Sequence, residues 1–210
     1  MRTIRVIIGL FIALCLILPA SSQVRFGIVG GLNLANVSID PDEGLDFKNR
    51  TALGVGGVLD FGLGNIVFIH FEPMFLQKGT KVEEGGSKLE IDADYIEVPL
   101  LLKFAFGTSG TKPYIMVGPT LGILMSAKWK VTAEGISAEV DVKDTTKGID
   151  FGVSFGAGVS MPLGQNSLFV EARYALGLTN FNDDPEDPDT DIKTKGIQVF
   201  AGMTFPLGTK

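Results

Sequence analysis

Apolar and polar residues alternate with period two in eight stretches of this chain, at 24–35, 51–62, 66–78, 94–106, 112–129, 149–163, 167–181 and 194–207. Period-two alternation marks β-strands with one face in an apolar phase. Each stretch also meets the roughly 9–11 residues that a tilted strand needs to cross a bilayer. In the seventh stretch one phase reads Leu168, Val170, Ala172, Tyr174, Leu176, Leu178 and the other Ser167, Phe169, Glu171, Arg173, Ala175, Gly177, Thr179. The sixth sets Phe151, Val153, Phe155, Ala157, Val159 and Met161 against Gly152, Ser154, Gly156, Gly158 and Ser160.

The gaps between stretches run 15, 3, 15, 5, 19, 3 and 12 residues, long and short in strict turn. Up-and-down membrane barrels space their strands this way, with tight periplasmic turns and longer outer loops. A soluble β-sandwich has no reason for such regularity. The short gaps carry turn residues: Leu63-Gly64-Asn65, Thr108-Ser109-Gly110 and Gly164-Gln165-Asn166. Seven connections in this order put both chain ends on the short-turn side.

Alternation alone does not say which face is inside, but side-chain size does. The interior of an eight-stranded barrel is just wide enough for side chains to fill, so a phase of Gly, Ser, Ala and Thr with scattered charges suits the lumen. The bulky Phe, Leu, Ile and Val phase then faces lipid. The expected fold is all-β: an eight-stranded antiparallel up-and-down transmembrane β-barrel with a polar, closed interior, after a cleaved N-terminal signal peptide. Pro73, Pro99 and Pro119 fall inside strands and predict bulges or distorted pairing, since a closed barrel offers no edge for a residue without an N–H. Phe26, Phe61, Phe104, Phe106 and Phe205 at one end, with Phe75, Trp129 and Phe181 at the other, are candidates for aromatic girdles.

Residues 1–22 have the pattern of an export signal: Arg2 and Arg5, an apolar run over 6–18, and small residues Ala20-Ser21-Ser22. That run is too short for the roughly 30 Å hydrocarbon core. Leu14 before the sole cysteine, Cys15, speaks against a lipid anchor. The expected mature domain, 23–210, therefore has no disulfide, thiolate metal site or cysteine nucleophile. A net charge of −6 and a sequence pI near 4.8, with no basic run, exclude a nucleic-acid binder. The 27 glycines follow no Gly-X-Y period and must serve ordered structure.

Charge separates cleanly between wall and loops. The four long gaps hold 18 of the 24 acidic residues. Within the stretches, Arg25, Asp60, Glu72, Glu97, Lys103, Glu171 and Arg173 share the lumen phase, while Asp94 and Lys195 lie on the other phase at strand ends. Charges confined to a narrow lumen must be paired. The seven are therefore read as a structural ionic network, the acids with Arg25, Lys103 and Arg173, closing the interior to ions.

His70, the only histidine, stands two residues before Glu72 on the lumen phase. An enzyme reading makes it the general base for Ser126, Ser154 or Ser160, but catalysis on lipid needs groups facing lipid. His70 is therefore read as a hydrogen-bonded member of the interior network, and the expected state is non-enzymatic, with no catalytic, cofactor or metal residues assigned. The last long gap, 182–193, carries Asp183, Asp184, Glu186, Asp187, Asp189 and Asp191, a calcium candidate that Pro185 and Pro188 interrupt. The 19-residue gap 130–148 alternates around Val131, Ile136, Val140 and Val142, predicting that its two flanking strands extend as a hairpin above the membrane.

The runs GLNLAN from Gly31, YIEVPLLLKF from Tyr95, KPYIMVGPTLGILMSAK from Lys112, FGVSFGAGVSMPL from Phe151 and LFVEARYALGLTN from Leu168 resemble the PorT-type outer membrane β-barrel proteins of Bacteroidetes-like bacteria. The resemblance spans the mature chain and implies an outer membrane barrel; the expected partners are outer membrane lipid and lipopolysaccharide, the expected state is a monomer, and the gap order puts both ends in the periplasm. The resemblance also implies a structural or accessory role in protein secretion or envelope assembly. The alternatives are a surface barrel that binds a ligand or partner through its long loops and, more remotely, a lipid-modifying enzyme. The Pro206-Leu207-Gly208-Thr209-Lys210 end departs from the terminal aromatic residue of many such barrels.

Overall fold

The structure is a computed structural model and describes residues 24–40, 47–84, 87–107, 109–133, 136–183 and 189–207. The proposed export signal and the terminal Gly208-Thr209-Lys210 lie outside them. The strands are β1 (Val24–Asp40), β2 (Arg50–Gly62), β3 (Val67–Phe71), β4 (Met74–Glu84), β5 (Ser87–Ala105), β6 (Lys112–Ala133), β7 (Ile136–Asp141), β8 (Ile149–Leu163), β9 (Asn166–Gly177) and β10 (Asp191–Pro206). Every pairing is antiparallel, and β1 pairs with both β2 and β10, which closes the sheet on itself.

Nine of the ten strands build eight staves. β3 and β4 both pair with β2 on one side and β5 on the other, so they are one stave broken at Glu72-Pro73. Pro73 has no N–H to offer the ladder, and its carbonyl instead accepts from Gly57 N at 3.0 Å. β7 pairs with β6 alone and is not part of the wall. The other two prolines act more mildly: the β5–β6 ladder keeps its register past Pro99 and Pro119 but lacks the rungs at Leu100 and Leu101. The register shift falls elsewhere, between Asp94 and Tyr95, where β6 carries one extra residue.

Alternation and burial agree along the staves. In β2, Thr51, Leu53 and Val55 are exposed while Ala52, Gly54 and Val58 are buried. Leu53 and Val55 are 60% exposed, and Ile28 on β1 is 67% exposed. In water such a continuous apolar wall would be unfavourable; against acyl chains it is the solvated face. Phe26, Phe106, Phe75 and Trp129 lie on this outer surface, with the Phe26 and Phe205 rings 5.4 Å apart. Phe61 does not join them, being 9% exposed, and Phe181 packs against the buried Ala93, Tyr95, Leu124 and Ala127.

The strands outrun the predicted spans. The 15-residue gap at 79–93 is no loop: β4 and β5 run on through it in register, from Gly79 opposite Asp92 to Glu84 opposite Ser87. Beyond the membrane both faces of a ribbon meet water, so polar residues populate both phases and the apolar signal of a strand disappears. The predicted hairpin over 130–148 also takes another form. β6 extends to Ala133 and turns back as β7, and a 3-10 turn at Lys143–Thr145 then leads into β8. Lys130 and Lys128 flank Glu139 at 3.0 and 3.5 Å. The hydrogen bond from Lys130, with the charge of both lysines, holds that carboxyl below its ordinary range. In the short turns, Gly110 and Gly164 take φ of +71° and +63°, conformations that other residues rarely adopt.

Glycine also shapes the lumen. A Cβ on Gly158 would stand 2.5 Å from Cζ of Tyr114, and one on Gly156 would stand 2.9 Å from Cγ of Arg173. These glycines are hollows in the wall into which large inward side chains fit. Gly158→Leu is expected to destabilise the barrel by about 1–3 kcal/mol through overpacking, measured as a lower urea midpoint of the refolded protein in detergent.

Candidate functional site

The interior is not uniformly polar. Val29, Val58, Met74, Leu76, Phe169 and Phe200 form an apolar cluster inside the barrel, and Leu101, Ala105, Tyr114 and Met116 form another. The expectation of a polar lumen needs this correction: in a narrow barrel the small residues of some staves leave space that large apolar groups from others fill.

The buried charges lie among these clusters in a continuous chain. Lys103 Nζ stands 3.3 Å from Asp60 Oδ2. Asp60 Oδ1 is 2.6 Å from His70 Nδ1, and His70 Nε2 is 2.7 Å from Glu72 Oε2. Glu72 pairs with the Arg173 guanidinium, which also holds Glu171 with its Nε at 2.8 Å. The Tyr114 hydroxyl donates to Glu171 Oε2 at 2.6 Å, and Lys103 Nζ stands 4.2 Å from the centre of the Tyr114 ring. The circuit therefore closes on itself. His70 and Glu72 are fully buried, and Glu171 and Arg173 are each 2% exposed.

Strand period and register explain the arrangement. Glu171 and Arg173 are two apart on β9 and so face one side of the sheet, as do His70 and Glu72 at the end of β3. Asp60 stands directly opposite His70 in the β2–β3 ladder. Both ring nitrogens of His70 meet carboxylate oxygens, and only an imidazolium donates from both. With His70 so charged, three cations alternate with three anions and the circuit is neutral. Arg173 also lies 5.0 Å from the Phe200 ring centre, which receives the face of the guanidinium that carboxylates leave open.

A second cluster lies nearer the long-loop end. Lys78 Nζ is 2.5 Å from Glu97 Oε2 and 3.1 Å from Asp150 Oδ2, with the Thr194 hydroxyl donating to the same Asp150 oxygen at 3.0 Å. Lys78 also stands 5.0 Å from the Tyr95 ring centre. Arg50 and Asp92 pair at 2.8 Å further along the strands.

Of the seven residues singled out from sequence, the structure joins Asp60, Glu72, Lys103, Glu171 and Arg173 in one circuit and sets Glu97 in the other cluster. Arg25 joins neither. Its guanidinium donates to Thr204 Oγ1, Ser167 Oγ and the carbonyls of Gln165 and Thr204. Sequence reasoning missed Lys78 and Asp150 as partners; it placed His70 as a hydrogen-bonded member of the interior network, and the structure makes that member a bridge between Asp60 and Glu72. Asp150 shares the phase of Gly152 and Ser154, a signal that was available. The Lys78–Asp150 pairing, 72 positions apart, follows only from barrel closure.

His70, Glu72 and Glu171 offer ligand atoms within 4.8 Å of one another. A metal ion there would have to displace Arg173 from between the glutamates and take a proton from His70. The donor set is already saturated by ion pairing. Both His70 nitrogens being taken, the ring also has no free nitrogen for a serine. In the acidic segment, Asp191 pairs with Lys193 at 2.5 Å, while Asp184, Glu186 and Asp187 of the calcium candidate lie outside the described residues.

Among curated proteins none matches this sequence. Solved structures of similar shape include Neisserial surface protein A, 12% identical over 89% of this chain and 97% of that one, TM-score 0.48. OprG from Pseudomonas aeruginosa is 12% identical over 91% and 98%, TM-score 0.47. Ail, the attachment invasion locus protein of Yersinia pestis, is 19% identical over 87% and 99%, TM-score 0.45. A family model described as the outer membrane protein beta-barrel domain matches residues 19–183. The match covers most of the chain and agrees with the closed eight-stave wall, and this chain belongs to the outer membrane protein beta-barrel domain family.

Proposed function

We propose that this protein is a sealed outer membrane barrel of PorT type, serving as a structural or accessory component of protein secretion or envelope assembly. In this reading residues 1–22 direct export and are removed, both ends of 23–210 face the periplasm, and the long loops and the β6–β7 projection face outward. The observation that supports it is the closed circuit from Lys103 to Tyr114, a ring of buried, mutually paired groups across the lumen that in this reading bars solutes. The PorT-type assignment rests on the sequence runs from Gly31, Tyr95, Lys112, Phe151 and Leu168. Lipid and lipopolysaccharide around the wall, and a secretion or envelope protein at one end, are the partners this reading names.

In planar bilayers the wild-type protein is expected to give no discrete conductance steps, and Glu72→Ala with Arg173→Ala together are expected to produce a leak. Chemical cross-linking in native membranes, followed by identification of captured proteins, tests the accessory role; repeated recovery of the barrel alone would count against it.

A second reading, a surface barrel that binds through its outer projection, is favoured by one observation. Ile136 and Val140 on the single-paired strand β7 are 76% and 58% exposed, with Trp129 beside Val140 on β6. An unpaired strand edge with apolar side chains is suited to receive an extended segment of another chain. Loss of partner capture on deletion of this projection, with the barrel still folded, would favour this reading.

A further inference from the structure

The short-turn end of the lumen holds a cavity of about 170 Å³ whose charge is out of balance. Three cations line it, Arg25 from β1, Lys103 from β5 and Lys112 from β6, against one acid, Asp60. Asp60 has no oxygen to spare, since Oδ1 faces His70 and Oδ2 faces Lys103. Elsewhere in the lumen the cations are matched by carboxylates; here the balance among the lining residues is two positive charges.

Arg25 stands opposite Asp60 in the β1–β2 ladder but makes no direct ion pair with it, because the two Asp60 oxygens are held by His70 and Lys103. Arg25 Nε and one terminal nitrogen donate to neutral oxygens of Thr204, Ser167 and Gln165, at 3.1–3.2 Å. That fixes the guanidinium plane and leaves its other terminal nitrogen without a protein acceptor among the described residues. Lys112 makes no ion pair or hydrogen bond with them either. Hydroxyls from two further staves, Ser160 of β8 and Ser167 of β9, complete the rim. The space equals that of several waters, enough for one small anion with part of its hydration.

We infer that this cavity is an anion site that takes a phosphate group. Donors converge on it from several directions around the barrel, which suits a tetrahedral oxyanion with acceptors on all sides better than a planar carboxylate. A pre-oriented guanidinium with flanking ammonium groups is strong phosphate-binding chemistry. Binding does not depend on the role proposed above. Only the source of the phosphate does: with the short turns in the periplasm, it is a soluble phosphate compound or the head group of an inner-leaflet phospholipid.

The test is calorimetric titration of the purified full-length barrel in a phosphate-free maltoside detergent, with inorganic phosphate, acetate and a short-chain phosphatidic acid as separate probes. One saturable phosphate site, weakened at least tenfold in Lys112→Gln and in Arg25→Gln and unchanged in Lys195→Gln at the other end, supports the inference. Lys112→Gln keeps the test valid if Arg25→Gln fails to fold, because Lys112 supports no internal contact. Phosphate and phosphatidic acid binding alike indicates a soluble source; phosphatidic acid binding at least tenfold tighter, with the same Lys112 dependence, indicates a lipid source. Acetate binding as tightly as phosphate, no saturable binding by any probe, or binding indifferent to both cavity substitutions would overturn it.

Discussion

Arg173→Met is expected to cost about 3–5 kcal/mol of barrel stability, the range for removing one partner from a buried charge pair. Arg173 separates Glu72 from Glu171, and neither acid has water to turn to. Methionine fills most of the volume, so packing loss is small and the result reports on charge. The measurement is the urea midpoint of the protein refolded in detergent, followed by the mobility difference between heated and unheated samples. Adding Glu171→Gln to Arg173→Met should recover part of the loss, since Glu171 is the acid left without a cation while Glu72 keeps His70. If the single variant unfolds at the wild-type urea concentration, the circuit does not hold the barrel together. The lumen would then be closed by its apolar clusters alone.

Val55→Arg is the second large effect, at about 2–4 kcal/mol for a basic residue at the bilayer midplane. Val55 is 60% exposed and lies opposite Gly30 on β1 and Phe75 on β4, well inside the apolar band. The comparison that gives the experiment its force is Val131→Arg, on the projecting part of β6, where Val131 is 45% exposed. If lipid bathes the first position and water the second, the two substitutions differ in cost although both sites are exposed. Folding into vesicles under urea titration measures both. Equal, small costs would mean that the apolar wall does not face acyl chains.

The features legible before the fold was known share one property, contrast between two solvents across a strand. Where one face meets lipid and the other the lumen, as from Phe151 to Met161 or Leu168 to Leu178, the sequence alternates and the strand and its inward face can both be read. Where the contrast fades the reading fails. The ribbon at 79–93, with Lys81, Glu83, Lys88 and Glu90, looks like a loop although β4 and β5 pair through it. The interruption at Pro73 is the opposite case. A missing N–H is local chemistry, so a disturbance was foreseeable there, though not that the stave would split into β3 and β4.

The candidate site divides the same way. That Glu72, Glu171 and Arg173 point inward follows from phase, which any two-residue repeat fixes. Which acid meets which base does not, because stagger and closure bring Glu72 to Arg173 across 101 positions and Lys78 to Asp150 across 72. His70 shows the limit most clearly. Its place on the inward face was readable from Glu72, but its role as a bridge required Asp60 to arrive opposite it from β2. Sequence by itself determined the membrane-level strands, their lipid-facing side and most of the inward charges, since each follows from a residue and its near neighbours. Tertiary structure alone decided the pairings, the apolar filling of the lumen and the unbalanced cations around Arg25 and Lys112, because these depend on distances through the barrel that no local pattern encodes.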